Sequence, residues 1–239
     1  MALAAGDFNG DGHDDLAIGV VNESLGDPVI VSAGAVHVLY GSPTGIDETD
    51  NDFFHQDNAN IGSIAEAFDQ FGDTLAAGDF NGDGYHDLAI GVPYEDWNQQ
   101  DTGIVQVIWG ASNGLTGTDE LWREDLLDNF GMDEEFDRFG ESLAAGDFDG
   151  DGYDDLAVGT PSEDIGGDVD CGVVYVLPGT AGGLSSANQW WHQGKDGLHD
   201  QAEPDDHFGW SLIAIPGSIV LFEDGLERGD TSNWSNTVP

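Results

Sequence analysis

The chain repeats itself three times, and this repetition constrains its fold more than any other feature. Three segments are nearly identical, and they read LAAGDFNGDGHDDLAIGV from Leu3, LAAGDFNGDGYHDLAIGV from Leu75 and LAAGDFDGDGYDDLAVGT from Leu143. A fixed period of about 70 residues marks one supersecondary unit that buries its apolar side chains by stacking on its copies. We therefore take this repeat as the unit of folding.

Each repeat contains four short extended segments bounded by Gly-rich turns. The first is LAAGDF and the second is DLAIGV or a close variant, and both carry strand-like patterns. Four strands per unit predict an all-β fold built from β-propeller blades. A β-sandwich is the strongest alternative, but near-identical repetition at a fixed step argues against it. The third segment, an alternating apolar run, begins at Ala35, Ile104 and Val173, and the fourth, an aromatic patch, begins at Phe53, Leu121 and Trp190.

The repeats divide the chain into blades at residues 1–70, 71–138 and 139–207, followed by a partial fourth unit and a tail at 208–239. Phe-Gly pairs open the later units at Phe71-Gly72, Phe139-Gly140 and Phe208-Gly209, and the first unit lacks one. From about Pro216 the sequence leaves the pattern, and we expect a weakly ordered terminus there. Propellers typically have 4–8 blades. Three blades and the start of a fourth therefore predict an incomplete ring. Either the chain is a piece of a larger ring that additional blades close, or it closes by self-association, or it forms an open array with protected ends.

A nine-residue acidic loop joins the first two strands of each repeat. Oxygen-bearing side chains occupy loop positions 1, 3, 5 and 9, and position 6 is Gly, which permits a sharp turn. Three inward side chains and the backbone carbonyl of position 7 can surround one cation, and hard oxygen ligands favour Ca²⁺ over zinc or copper. We predict three calcium sites. Their ligands are Asp7, Asn9, Asp11, Asp15 and the His13 carbonyl; Asp79, Asn81, Asp83, Asp87 and the Tyr85 carbonyl; and Asp147, Asp149, Asp151, Asp155 and the Tyr153 carbonyl.

Two alternatives compete with this interpretation of the loops. An EF-hand needs a bidentate Glu at position 12, where this chain has Ile18, Ile90 and Val158. A solvated Asx-rich turn without metal would explain a single loop. Because oxygen ligands occupy every ligand position in all three copies, calcium is favoured over both.

Charge limits the partners of this chain. It carries 48 Asp and Glu against 4 Lys and Arg, which gives a net charge of −44. This composition excludes a nucleic-acid partner, which needs a basic footprint, and disfavours anionic membrane surfaces. No apolar run is long enough for a transmembrane helix, and no signal peptide is visible at the N-terminus. Because most of the acids lie outside the loops, we also expect a surface adapted to high salt.

These motifs together resemble the FG-GAP repeats of integrin alpha subunits and of many bacterial surface proteins. The resemblance rests on the Phe-Gly pairs, the acidic loops, and a degenerate Gly-Ala-Pro region. That region reads GVPYED from Gly91 and GTPSED from Gly159, and its counterpart GVVNES from Gly19 lacks the proline. The resemblance implies a seven-bladed ring with calcium loops on one face, and it supports the loop residues named above as ligands.

The resulting functional hypothesis is an extracellular or cell-surface module that binds a protein or glycan ligand, in adhesion for example, and uses calcium structurally. We expect no enzymatic activity, because no catalytic constellation stands outside the repeats. One alternative is an accessory, carbohydrate-binding or otherwise non-catalytic part of a secreted polysaccharide-active enzyme. Another is a truncated piece of a larger propeller. The sequence itself does not name the ligand.

Overall fold

The computed structural model describes residues 1–46, 49, 51–58, 60–127, 134–195, 198, 201–215 and 218–221. The described part of the chain folds into three four-stranded antiparallel sheets, each formed by consecutive strands in chain order. The predicted all-β fold of propeller blades is therefore confirmed. The first sheet contains β1 (Leu3–Gly6), β2 (Asp15–Gly19), β3 (Val36–Leu39) and β4 (Asn51–Phe54).

The second and third sheets repeat this arrangement. The second consists of β5 (Thr74–Gly78), β6 (Asp87–Val92), β7 (Ile104–Ile108) and β8 (Asp119–Trp122), followed by a short 3₁₀ helix at Glu124–Leu126. The third consists of β9 (Ser142–Gly146), β10 (Asp155–Thr160), β11 (Val173–Leu177) and β12 (Gln189–Trp191). A two-stranded sheet follows, formed by β13 (Leu212–Ile215) and β14 (Ser218–Leu221).

Two elements differ from the sequence-based expectation. The first strand of each repeat ends at the Gly before the acidic loop, so the Asp-Phe pair of LAAGDF already belongs to the loop. Residues 218–221, which we assigned to the tail, form β14 and pair with β13. Residues 222–239 of the predicted tail lie outside the described residues.

The hydrophobic core lies between neighbouring sheets, as expected for propeller blades. Val36 and Val38 of the first sheet share one cluster with Leu88 and Ile90 of the second. A second cluster joins the second and third sheets in the same way. The first strands of successive sheets, β1, β5, β9 and β13, contact one another in chain order. The blades are therefore arranged side by side with their first strands innermost.

The Phe-Gly pairs connect one blade to the next. Phe71 is fully buried, and its amide donates to the Ala33 carbonyl of the first blade at 2.8 Å. The neighbouring Gly72 amide donates to the Gly91 carbonyl of the second blade at 3.2 Å. A Cβ on Gly19 would lie 2.0 Å from the Gly72 carbonyl oxygen. The close approach of the backbones explains why glycine occupies the first position of the Gly-Ala-Pro region.

The structure contains, within its described residues, no helix long and apolar enough to cross a membrane.

Candidate metal centre

The three acidic loops occupy equivalent places in the three blades. Each begins where the ladder between the first two strands ends, at the pairs Gly6–Asp15, Gly78–Asp87 and Gly146–Asp155. Positions 1, 3 and 5 of each loop are half-buried or exposed, whereas the Asp at position 9 is buried. Each loop thus presents most of its predicted ligands to solvent on a base fixed by the sheet.

Backbone amides hold the side chains of positions 1, 3 and 5 within the first loop. The Asp7 carboxylate accepts from the Asp11 amide at 3.0 Å and from the Gly12 amide at 2.8 Å. The Asn9 side-chain oxygen accepts from the Asp11 amide at 3.0 Å. The Asp11 carboxylate accepts from the His13 amide at 2.9 Å. The loop is therefore wrapped around the oxygen atoms of its own side chains.

The same four hydrogen bonds recur in the second and third loops at 2.8–3.1 Å. In the third loop, one carboxylate oxygen each from Asp147, Asp149 and Asp151 lies within 4.8 Å of the others. In the second loop, the Asn81 side-chain amide donates to Asp83 at 3.1 Å. The structure thus brings together the side chains predicted at positions 1, 3 and 5.

The Asp at position 9 has a second role that the sequence did not indicate. The Asp15 carboxylate accepts from the Phe8 amide at 2.8 Å and from the Gly41 amide at 2.7 Å. Asp87 and Asp155 bind the equivalent amides in the second and third blades. These contacts tie the loop to the end of the third strand. Each oxygen of the carboxylate accepts one of these hydrogen bonds and keeps a further lone pair. The carboxylate is therefore still able to act as a metal ligand.

The loop acids repel one another. Burial is the main cause that raises the pKa of Asp87 to about 7, and the charges of Asp83 and Asp79 add to the rise, while the amides of Gly110 and Phe80 oppose it. Burial likewise raises the pKa of Asp15 and Asp155, with smaller contributions from acids of their own loops. A bound divalent cation would reverse the sign of these interactions.

The donor set fits a hard cation. The side chains gathered in each loop are carboxylates and, in two of the loops, an amide oxygen, which are the ligands that Ca²⁺ prefers. The predicted role of the position 7 carbonyls of His13, Tyr85 and Tyr153 stays a prediction, as does the coordination of the whole ligand set. What the structure adds is a loop conformation that already turns three oxygen-bearing side chains toward one another.

Sequence reasoning missed the glycine at loop position 4. Gly10, Gly82 and Gly150 have φ values of 71°, 69° and 81°, a region that L side chains rarely adopt. Gly10 also lies under the Tyr85 ring of the next loop, and a Cβ there would fall 2.5 Å from Tyr85 Cε1. The signal was present, because all three copies carry Gly at this position.

The loops of neighbouring blades are hydrogen-bonded to one another. The Asp7 amide donates to His86 Nδ1 at 2.8 Å, and the His86 amide donates to the Asp7 carbonyl at 2.9 Å. In the next pair, the Asp79 amide donates to the Asp154 carboxylate at 2.8 Å. Position 8 of one loop thus fixes position 1 of the preceding loop, so the candidate metal sites form a connected row.

Comparison with known proteins identifies three copies of one repeat in the chain. The family model described as "FG-GAP repeat" matches residues 1–39, 71–117 and 139–177. Integrin alpha-5 of Xenopus laevis is 31% identical over 84% of this chain and 17% of its own length. Integrin alpha-V of Gallus gallus is 32% identical over 77% of this chain and 16% of its own length.

A third relative is an enzyme. Phosphatidylinositol-glycan-specific phospholipase D of Rattus norvegicus is 32% identical over 69% of this chain and 19% of its own length. The chain therefore spans less than a fifth of these curated relatives. A solved rhamnogalacturonan lyase, YesW, aligns with 82% of this chain and 34% of its own at 14% identity, and its TM-score of 0.45 is too low to indicate a shared fold.

Proposed function

The chain belongs to the FG-GAP repeat family, and from this we propose that it is a calcium-stabilised β-propeller module that binds a protein or glycan ligand. One observation carries the proposal. Three loops with oxygen donors at matching positions share one set of internal hydrogen bonds, so each blade presents the same arrangement of hard oxygen donors. Calcium is proposed to act structurally, by pinning the turn between the first two strands of each blade.

We further propose that the module works outside the cell or at its surface and is not itself an enzyme. The similarity to integrin alpha subunits supports the extracellular setting. The repeats occupy most of the chain, and we assign the acids of the candidate sites to metal binding rather than to catalysis. Ligand binding is assigned to the loops at the ends of the blades, since such loops vary without disturbing the core.

A calcium titration with a chelation control tests the metal assignment. Calorimetry should show about three binding events per chain, and removal of calcium should lower the melting temperature. Each site adds about 1.4 kcal/mol to stability at tenfold excess of calcium over its dissociation constant. An absence of binding heat together with an unchanged melting temperature on chelation would overturn the proposal.

A matched pair of variants in the first loop sharpens this test. Asp11→Asn removes a charge at predicted ligand position 5, and Asp14→Asn removes the same charge at exposed position 8, which is not a predicted ligand. The first variant should weaken one site by about tenfold or more, and the second should leave all sites near their original affinity. Equal effects would mean that the loop attracts cations only by its net charge.

A second candidate function is an accessory module of a larger enzyme. The similarity to part of a phosphatidylinositol-glycan-specific phospholipase D favours it, because the matched stretch is only 19% of that protein. A screen of immobilised glycans distinguishes this accessory role from the proposed adhesion role. Binding to a defined sugar favours the accessory role, and binding to a protein partner without sugar recognition favours adhesion.

A further inference from the structure

Three acidic side chains meet in the interior between the second and third blades. Glu124 lies in the 3₁₀ helix after β8, Asp137 lies just before the second Phe-Gly pair, and Glu163 lies in the turn after β10. Each is only 2% exposed. One carboxylate oxygen from each lies within 4.8 Å of the other two. At such distances buried carboxylates repel strongly, so the cluster needs protons or a cation.

Hydrogen bonds from the described residues reach Glu124 and Asp137, whereas one oxygen of Glu163 receives none. The Tyr175 hydroxyl donates to Glu124 Oε1, and the Glu134 amide donates to Asp137 Oδ2 at 2.5 Å. Glu163 Oε2 is buried and has no hydrogen-bond partner among the described residues. Burial is the main cause that raises the pKa of Glu163 far above its ordinary value, and the charges of Glu124 and Asp137 add to the rise.

The two described arginines nearest to this cluster in sequence make contacts elsewhere. The salt bridge found among the described residues joins Arg123 to Asp125. Arg138 follows Asp137 in sequence, but its guanidinium lies over the Tyr94 ring, 5.2 Å from the ring centroid. A cation bound at the cluster would supply a balancing positive charge.

The preceding interface provides an internal comparison. Between the first and second blades, the corresponding positions hold Gln56, Asp69 and Glu95, all buried. Gln56 Nε2 donates to Glu95 Oε2 at 2.5 Å and to Ser63 Oγ at 3.2 Å. At that interface the Gln56 side-chain amide therefore provides a hydrogen-bond donor to the buried Glu95 carboxylate. At the second interface a carboxylate, Glu124, replaces the amide, so the donor is lost and a negative charge is gained.

We propose that Glu124, Asp137 and Glu163 bind one hard divalent cation between the second and third blades, in addition to the three loop sites. Three carboxylates converging on one point, without His or Cys, form a donor set suited to Ca²⁺, Mg²⁺ or Mn²⁺. Asp137 also lines a cavity of about 480 Å³ with Glu134, Asp164, Asp170 and Arg138, among others. Of the three cluster residues, Asp137 is the one that lines this cavity. The bound ion would join the outer edge of one blade to the next.

Anomalous diffraction from Mn²⁺-soaked crystals of the full chain tests the proposal directly. The expected result is an anomalous peak within ligand distance of the three carboxylates, which is lost in Glu163→Gln. The absence of such a peak at saturating Mn²⁺ would overturn the proposal, whether or not the loops are occupied. Peaks at the loops report separately on the proposed function.

Calorimetric site counts on reciprocal variants test it in solution. Glu124→Gln installs the amide of the first interface and should bind one divalent cation fewer than the parent. Gln56→Glu should convert the first interface and bind one more. Asp168→Asn, which removes an exposed charge elsewhere, should leave the count unchanged. Identical counts for the parent and Glu124→Gln would mean that the cluster holds protons only, and would overturn the proposal. If Glu124→Gln fails to fold, the gain of a site in Gln56→Glu decides the matter.

Discussion

At the scale of single residues, the acidic loops depend on two glycines as much as on their acids. Positions 4 and 6 both have positive φ in all three copies. The two positions differ in their surroundings. At position 4, Gly82 lies against the Tyr153 ring of the next loop, whereas Gly150 has no neighbour within 4 Å of where a Cβ would be. Backbone strain and steric fit can therefore be separated by experiment.

Three alanine substitutions should rank in a fixed order. Gly150→Ala should cost about 1 kcal/mol, because only the left-handed backbone is penalised. Gly82→Ala should cost more, since its Cβ would lie 2.5 Å from Tyr153 Cε1. Gly182→Ala is the control, with an ordinary φ and its nearest atom at 3.7 Å, and should be nearly neutral. Urea unfolding at saturating calcium measures all three. Equal losses at Gly82 and Gly150 would contradict the packing of the tyrosine on the loop.

A second residue-scale prediction concerns pH and the first blade interface. Burial raises the pKa of Glu95 to about 8, with Asp69 as the next contributor, and raises the pKa of Asp69 to about 7. Glu66 and Asp96 add to both rises, and the Gln56 amide opposes them. The folded state thus holds protons that the unfolded state releases above about pH 4.5, so stability falls as pH rises toward 8.

Wild type should therefore be less stable at pH 8.5 than at pH 5.5, and Glu95→Gln should lose much of this dependence. The difference between the two proteins across that range is expected to be on the order of 3 kcal/mol, since a shift of one pKa unit corresponds to about 1.4 kcal/mol. The free energy of unfolding is measured in denaturant at saturating calcium. Under that condition the loop acids are expected to bind metal, so their protonation does not contribute to the difference between the two proteins. Parallel curves for the two proteins would show that Glu95 is not the group responsible.

At the scale of elements, the Phe-Gly pairs hold consecutive blades together. Phe71, Phe139 and Phe208 each donate their amide to a carbonyl of the preceding blade at 2.8–2.9 Å. Their side chains are almost completely buried. In the first two pairs the following glycine donates its amide within its own blade, to the carbonyls of Gly91 and Gly159, so one dipeptide spans the interface. Loss of this side chain should therefore weaken the contact between blades as well as the core.

Phe71→Ala should destabilise the protein by about 3–5 kcal/mol, the usual cost of emptying a buried phenylalanine site. Phe68→Ala is a matched control, because Phe68 lies three positions earlier and is 60% exposed. Its effect should stay within about 0.5 kcal/mol. Chemical unfolding followed by tryptophan fluorescence measures both. Similar losses for the two variants would contradict the assigned role of the Phe-Gly pair.

The sequence predicted these elements well where the chain repeats and less well elsewhere. Apolar alternation and Gly-rich turns located β2, β6 and β10, because those strands are buried between neighbouring blades. The ends of the first strands were placed too late, since the Phe8 amide turns away to Asp15 instead of continuing the ladder. Strand β14 was missed because its sequence does not repeat. The buried cluster of Glu124, Asp137 and Glu163 was missed because its members are far apart in sequence. Each acidic residue, taken alone, also indicates an exposed position and not a buried one.

At the scale of the whole molecule, acidic side chains far outnumber basic ones. The chain has 48 Asp and Glu against 4 Lys and Arg, which gives a net charge of −44. The basic side chains of Arg123, Arg138 and Lys195 all lie over aromatic rings, and the one salt bridge found among the described residues joins Arg123 to Asp125. Surface carboxylates therefore repel one another with little relief from within the chain. Dissolved ions have to supply that relief.

Stability at saturating calcium should rise between low and molar NaCl. The Debye length falls from about 10 Å at 0.1 M salt to about 3 Å at 1 M, so repulsion across the folded surface is progressively screened. Repulsion is weaker in the expanded unfolded chain, which means that screening favours the folded state. The melting temperature is the measurement, and sucrose at equal osmolarity is the control for uncharged solute effects. A stability that fell with salt while calcium stayed bound would show that the acidic surface is not the feature limiting this fold.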